Sequence, residues 1–237
     1  MLNIITSFYI PKNDLARENE LKRTLNRNAA NPIVKALHLF LDKKEDADYI
    51  KSLSPKIQSK IKIINIGKQP LYSDLFQYAN TLANEICMIC NGDIWIYNNE
   101  IPFFFKVLNN NFVFALTRHE IDGASYLIES ATASHDAFIF KSQLNPSLQK
   151  MVQHKQNIWG SENRVIDALL HLNYKLANPC IQFKIIHEHD FKRLNRIEPN
   201  RDRLSHNNNL IIPSMSFINK NKIHFKSYIP KNFRLNL

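Results

Sequence analysis

The stretch that decides the fold is Ile86-Cys-Met-Ile-Cys-Asn-Gly-Asp-Ile-Trp-Ile96. Five apolar or thiol residues run without a charge, an Asn-Gly-Asp triplet interrupts them, and apolar residues resume. A short unbroken apolar run closed by turn residues is the pattern of a strand buried on both faces, as at the centre of a parallel sheet. Ligands of open α/β sheets bind outside the carboxyl ends of such strands. Asp93 stands where this strand ends, so it is expected to face a crevice and to mark the active site.

Upstream, Asn3 to Ile10, Ile33 to Leu41 and Lys60 to Ile66 read as strands. Between them lie helical stretches: Leu15 to about Asn26, capped by Asn13-Asp14 with Leu21 and Leu25 inward, and Glu45 to Leu53. A third helix, capped at Ser73-Asp74, puts Leu75, Ala79, Leu82 and Ala83 on one face. The order β-α-β-α-β-α-β is that of a parallel sheet with crossover helices. Downstream, Ile101 to Leu108 reads as a helix and Asn111 to Thr117 and Ala137 to Lys141 as strands. Helical stretches follow from Asn145 to about His154 and after Gly160-Ser161. Ile181 to Ile186 is the last strong strand, with weaker ones at Asn209 to Ile212 and Ile223 to Tyr228. The expected fold class is α/β, one domain with a mostly parallel sheet and helices on both faces.

The 237 residues are 44% hydrophobic and 22% charged, which suits a globular chain and excludes a mainly disordered one. No apolar run approaches the roughly 20 residues that span a bilayer. Met-Leu-Asn-Ile-Ile-Thr-Ser-Phe-Tyr lacks a basic n-region and reads as a first strand rather than a signal peptide, so a cytoplasmic protein is expected. Cys87 and Cys90 have C-x-x-C spacing, but on a strand residues three apart point to opposite faces, which favours burial over metal or redox chemistry. The formal charge is +10, and from Ile181 to Leu237 eleven Lys and Arg face four acids. That surplus favours an anionic partner: a nucleotide, a phospholipid surface or a nucleic acid.

Only four glycines occur, Gly67, Gly92, Gly123 and Gly160, too far apart for a dinucleotide fingerprint or a P-loop. A phosphate in this sheet would need another anchor, and a divalent metal bridging phosphate and carboxylate is the obvious one. Polar residues gather at strand ends: Ser7 and Tyr9, Asn91 and Asp93, Arg118 and Glu120, Asp136, and His187 and His189. Each has a bland reading, such as a turn around Gly92 or a surface ion pair, but their recurrence at successive strand ends suits a metal-phosphate site.

The ordered series Tyr72-Ser-Asp-Leu-Phe-Gln-Tyr-Ala-Asn80, Cys90-Asn-Gly-Asp-Ile94, Leu116-Thr-Arg-His-Glu120, Ser134-His-Asp-Ala-Phe-Ile-Phe140, Gly160-Ser-Glu-Asn-Arg164, Asn178-Pro-Cys180 and His187-Glu-His189 resembles GT-A-type nucleotide-sugar glycosyltransferases. The resemblance is to a group from bacteria and large DNA viruses involved in surface-glycan synthesis, and it covers Ser7 to Arg196. It implies a nucleotide-sugar-binding half (1–98), an acceptor and catalytic half (99–200) and a basic C-terminal extension (201–237). It also implies a metal, Mn or Mg, held by Asp93 as the last acid of an Asp-x-Asp-type triplet, with His187 or His189 as a rear ligand. The first triplet position is Asn91, a weaker ligand than Asp.

On that footing the expected reaction moves a sugar from a nucleotide-sugar donor, a UDP-sugar first, to a glycan or lipid-linked acceptor hydroxyl, inverting the anomeric centre. Asp136 is the expected base with Glu120 second, and Arg118 stabilises the leaving diphosphate. Ser7, Tyr9, Arg17, Tyr72, Asn80 and Asn91 are expected at the donor, and Trp95 as a sugar platform or as core. Peripheral contact with a membrane surface is a further expectation. Two other functions stay open: nucleic-acid binding through the basic C-terminal segment, and a non-catalytic relative that binds sugar or nucleotide. Against the former, the basic residues are spaced by Asn and apolar residues rather than grouped with aromatics.

Overall fold

Alternation along the central strands sorts their side chains into two separate cores. Ile4, Met88, Phe114 and Ile139 point to one face, while Ile5, Cys87, Ile89, Val113, Ala115, Phe138 and Phe140 point to the other. The period of two in a pleated strand produces this division. Cys87 and Cys90 obey it, falling in opposite cores as unpaired, buried thiols.

The computed structural model describes residues 1–120, 135–156, 158–189, 204, 211 and 214–227. Its main sheet has seven strands in the order β3-β2-β1-β4-β8-β6-β9. These are β1 (Leu2–Ser7), β2 (Val34–Leu41), β3 (Ile61–Asn65), β4 (Ile86–Cys90), β6 (Phe112–Leu116), β8 (Ala137–Lys141) and β9 (Lys175–Ala177). All pairings are parallel except those of β8, which runs antiparallel to both neighbours. Reversal of β8 sets its first residue, Ala137, against Cys90, so Asp136 arrives beside the carboxyl end of β4.

Helices cover both faces. Leu21 and Leu25 of α1 (Leu15–Ala30) and Ile50 of α2 (Ala47–Lys51) enter the first core. Leu75, Phe76 and Ala79 of α4 (Tyr72–Thr81), Leu148 of α5 (Ser147–Met151) and Val165, Ile166 and Leu169 of α6 (Ser161–His171) fill the second. Asp14 caps α1 by accepting the Arg17 N–H at 2.9 Å, and Asp74 caps α4 by accepting from Leu71 N–H at 2.9 Å. Pro55 opens the short α3 (Pro55–Gln58). Among the described residues, no helix is long and apolar enough to cross a membrane.

The structure departs from the sequence reading in the second half. A separate three-stranded sheet, β5-β10-β7, is made from β5 (Ile94–Ile96), β7 (His119–Glu120) and β10 (Ile185–His187). Strands of two or three residues carry too little periodicity to be read. The expected strand at Ile181 to Ile186 starts only at Ile185, because Pro179 turns the chain, its carbonyl accepting from Gln182 and Phe183 N–H. The helix expected over Ile101 to Leu108 is a 3₁₀ helix at Phe103–Val107, and that over Asn145 to His154 shrinks to α5. Strands in the tail fall at β11 (Ser214–Asn219) and β12 (Lys222–Ser227); of the stretch expected at 209–212 only Ile211 is described, and it is not in a strand.

Candidate active site

The small sheet gathers the chemistry. Asp93 immediately precedes β5, Glu120 ends β7, and His187 ends β10, where it pairs with Glu120 on one side and Ile94 on the other. The Glu188 N–H fixes the junction by donating to the Asp93 carbonyl at 2.8 Å. Asn91 to Ile94 forms a tight turn, with the Ile94 N–H donating to the Asn91 carbonyl at 3.1 Å. Gly92 is required in it: a Cβ there would lie 2.8 Å from the Ser7 carbonyl oxygen. The ends of β1 and β4 are therefore locked together, helped by Thr6 Oγ1 donating to the Cys90 carbonyl at 2.8 Å.

One ion-pair network runs across the site. Arg17 bridges Glu20 (3.1 Å) and Asp93 Oδ2 (2.6 Å), and His187 Nε2 lies 3.3 Å from the same Asp93 oxygen. His187 Nδ1 is 3.2 Å from Glu120, Glu120 accepts from Arg118 at 2.7 Å, and Arg118 reaches Asp136 at 3.0 Å. The Asn91 amide then donates to Asp136 (3.4 Å) and to Glu162 (3.1 Å), which also accepts from Ser161 Oγ at 3.0 Å. Four carboxylates, Glu20, Asp93, Glu120 and Asp136, thus share two guanidiniums and one imidazole, and the Asn91 amide joins Glu162 to them.

Burial and pairing set the charges. Burial works to raise Asp93, but Arg17 and then His187 outweigh it and hold this carboxyl far below the usual range. Burial also opposes charge on His187, yet the contacts with Asp93 and Glu120 push its pKa up to about 9. Glu120, buried but beside His187 and Arg118, falls to about 2. Glu162 is raised by burial and by Asp136 next to it. It is the proton-hungry group of the site, and the sequence reading passed over it because it sat in what looked like an ordinary helix start.

The geometry also explains Asn91. Its amide nitrogen lies between Asp136 and Glu162, where an aspartate would add a third carboxylate. Reversing the amide would aim its oxygen at both acids, so the orientation follows from the network. Among the described residues Asn91 Oδ1 is buried without a hydrogen-bond partner, an acceptor inside the site.

Helix α1 supplies more of the site than its inward leucines suggested. Arg17, Glu20, Arg23, Arg27, Asn28 and Asn31 recur at helical spacing and face the small sheet. Asn28 replaces a neighbouring strand for β5, donating to the Ile94 carbonyl at 2.9 Å and accepting from Ile96 N–H at 3.0 Å. Asn31 donates to the carbonyls of Ile96 and Asn98. Glu188 is clamped between Arg23, at 2.7 Å, and Arg27.

Other expected residues lie differently. Tyr9 reaches the site only through its hydroxyl, 3.5 Å from Arg17 Nε, and Ser7 presents its carbonyl to Gly92. Tyr72 is 1% exposed, packed against Phe138 and His154, so its ring has no open face for a nucleotide base. Asn80 is at the opposite end of the sheet: its side chain holds the turn at Gln143 and Leu144, which follows β8. His189 stacks on His187 (5.0 Å) and turns to Glu20 (4.0 Å) rather than to Asp93. Trp95 has the Arg27 guanidinium over its ring at 4.4 Å.

For a divalent metal, the donor set is Asp93 carboxylate and His187 imidazole, two atoms 3.3 Å apart, with the open Asn91 Oδ1 nearby in sequence. Among the described residues no three His, Cys, Asp or Glu side chains converge on one point. Hard cations are commonly held by one or two side chains plus other oxygens, so Asp93 and His187 would fit as a partial donor set once His187 gives up the proton it holds between Asp93 and Glu120.

No protein-family model matches the chain, and no curated protein matches it in sequence. Solved structures do match in fold. S. aureus TarS 1-349 in complex with UDP-GlcNAc superposes with a TM-score of 0.54 at 11% identity, over 80% of this chain and 58% of that one. A second structure of S. aureus TarS 1-349 gives 0.50 at 12% identity, over 78% of this chain and 60% of that one. A further S. aureus TarS structure gives 0.51 at 11% identity, over 79% of this chain and 36% of that one. The chain thus spans less than two thirds of each TarS structure. With β8 reversed in an otherwise parallel sheet and Asp93 at the end of β4, the chain has the fold of the GT-A-type glycosyltransferases.

Proposed function

We propose that the chain is a nucleotide-sugar-dependent glycosyltransferase of hexosyltransferase type, acting on a hydroxyl of a glycan or lipid-linked glycan with inversion at the anomeric carbon. The observation that carries this reading is the single network from Asp93 at the end of β4 to Asp136 and Glu162, which we read as a phosphate-anchoring end and a proton-accepting end. A UDP-sugar is the proposed donor, in keeping with the fold shared with TarS bound to UDP-GlcNAc. Residues 1–98 contribute mainly to the donor and 99–200 mainly to the acceptor.

Asp93 and His187 would hold a divalent cation, Mn or Mg, which when bound supplies charge neutralisation to the diphosphate oxygens. Arg17 and Arg118, the two guanidiniums already in the cleft, stabilise the negative charge that grows on the diphosphate as the bond from the anomeric carbon to its phosphate oxygen breaks. The acceptor oxygen bonds to that carbon from the opposite face, and its proton passes to the Asp136–Glu162 pair. Burial and the neighbouring Asp136 raise the Glu162 carboxyl, which makes Glu162 a better proton acceptor than an exposed acid. Trp159, 52% exposed just before Ser161 and Glu162, offers a flat apolar surface for the acceptor sugar.

The test is binding and turnover across UDP-, GDP- and dTDP-sugars with Mn²⁺ or Mg²⁺. The expected result is binding of a UDP-sugar, with Asp136→Asn and Glu162→Gln each lowering turnover by about 100-fold or more while donor affinity stays within about threefold. Failure of every nucleotide to bind, with or without metal, would overturn the proposal.

A further inference from the structure

The hairpin of β11 and β12 carries a surface that the active site does not use. Lys220 and Asn221 close it, both at positive φ (47° and 62°), as a two-residue hairpin turn requires. That turn fixes the register, and alternation then gives the hairpin two unlike faces. The inner face is anchored: the Phe225 ring packs on Phe112 and Phe114 (5.6 Å each), and Gln182 accepts from Ser216 N–H and Oγ at 2.6 and 2.7 Å. The outer face pairs Met215 with Lys226, Phe217 with His224 and Asn219 with Lys222.

On this face Met215 and Phe217 are 37% and 43% exposed; Ile218, paired with Ile223 on the opposite face, is 64% exposed beside the tip. No acid occurs from Ser214 to Ser227. Lys220, Lys222 and Lys226 have no ion-pair partner among the described residues. An ordinary solvated strand face would be polar, and a buried one would not carry three uncompensated lysines. Exposed apolar residues rimmed by cations are the arrangement that binds at the interface of an anionic bilayer.

We propose that this hairpin docks the protein on an anionic lipid surface, with Phe217, Ile218 and Met215 entering the boundary between headgroups and acyl chains and Lys220, Lys222 and Lys226 meeting lipid phosphates. A nucleic acid would satisfy the lysines but leave Met215 and Ile218 unmatched, so the bilayer accounts for more of the surface. The hairpin sits close to the cleft in the chain of contacts: Ser214 N–H donates to the Asn178 carbonyl (2.8 Å), and Asn178 Oδ1 accepts from the N–H of Thr117, the residue before Arg118. The inference stands independently of glycosyl transfer.

Flotation of the full chain with vesicles of phosphatidylcholine and phosphatidylglycerol, against phosphatidylcholine alone, tests it. The expected result is binding to the anionic vesicles only, weakening with salt. Replacing all three lysines by Gln should lower partitioning on the order of 100-fold, about fivefold per lysine. Phe217→Ser with Ile218→Ser should lower it about tenfold or more, and unchanged thermal midpoints show that substituting these exposed residues leaves the fold intact. As a second readout, the emission of Phe217→Trp should shift to the blue on anionic vesicles. No flotation, equal binding to neutral vesicles, or no blue shift would overturn the proposal. So would a surface on which DNA competes with vesicles and the Ser substitutions change nothing, because that is the behaviour of a polyanion site.

Discussion

The seven-stranded sheet and the three-stranded sheet are built from opposite materials. In the first, the central strands read Ile-Cys-Met-Ile-Cys, Phe-Val-Phe-Ala-Leu and Ala-Phe-Ile-Phe-Lys, and nearly every side chain enters one of two dry cores. In the second, eight residues on three strands bring His187 against Glu120 and next to Asp93, and side chains rather than strands complete the edge. Apolar burial is non-directional and tolerant, whereas a buried ion-pair network needs each partner at its own distance. The chemistry rests on the small sheet, while Ile94, Ile96 and Ile185 of that sheet join the first core under the large one. The bracket between them is α1, whose leucines serve the first sheet and whose Arg17, Arg27 and Asn28 serve the second.

Breaking the large sheet should leave the cleft's chemistry intact. Phe138, 1% exposed and edge-on to Tyr72, should cost about 3–5 kcal/mol when changed to Ala, measured by denaturant unfolding. Donor affinity of the folded fraction should be unchanged, and its loss in parallel would mean that the two sheets are not separable.

Sharper tests act on the small sheet and its partners. Asn91→Asp restores an acid at the first triplet position but sets a third carboxylate against Asp136 and Glu162. Turnover should fall about 10–100-fold and stability by about 1–2 kcal/mol, with both losses easing as pH falls and the added acid protonates. Improved turnover would show that the amide is not there to separate those acids.

His187 gives a pH-dependent effect on stability. Its pKa rises from 6.5 to about 9 on folding, so the stability that it contributes is fully present below pH 6.5 and disappears as pH climbs through 9. About 3 kcal/mol should be lost over that window in the metal-free protein, and His187→Gln should flatten the slope. Glu120 acts in the opposite sense, its contribution being lost only as pH falls through about 2.

Sequence patterning made the large sheet legible and the small one illegible. Ile86 to Cys90 and Ala137 to Lys141 stand where their apolar runs placed them, because five residues with turn signals on either side suffice. His119-Glu120 and Ile94 to Ile96 are too short to show a period, and their strand character comes from contacts with β10. For the site, Asp93, Arg118, Glu120, Asp136 and His187 were visible as polar residues at strand ends, and the structure brings them together. Glu162 and Glu20 were hidden on helices, where a carboxylate is ordinarily solvated. The signal that could have found Glu20 is the polar stripe of α1, whose residues recur every three or four positions alongside Leu21 and Leu25. Tyr72 shows the converse error: an aromatic at the start of a helix satisfied core packing instead.

The most direct measurement is calorimetric titration of a UDP-sugar with Mn²⁺ or Mg²⁺ into the wild-type chain and into Asp93→Ala. The expected result is metal-dependent binding by the wild type and a loss of about 100-fold or more in the variant. Removing Asp93 also frees Arg17 and His187, two cations that could take a diphosphate by themselves. Equal or tighter binding by the variant would contradict the assignment of Asp93 as the phosphate anchor acting through a metal.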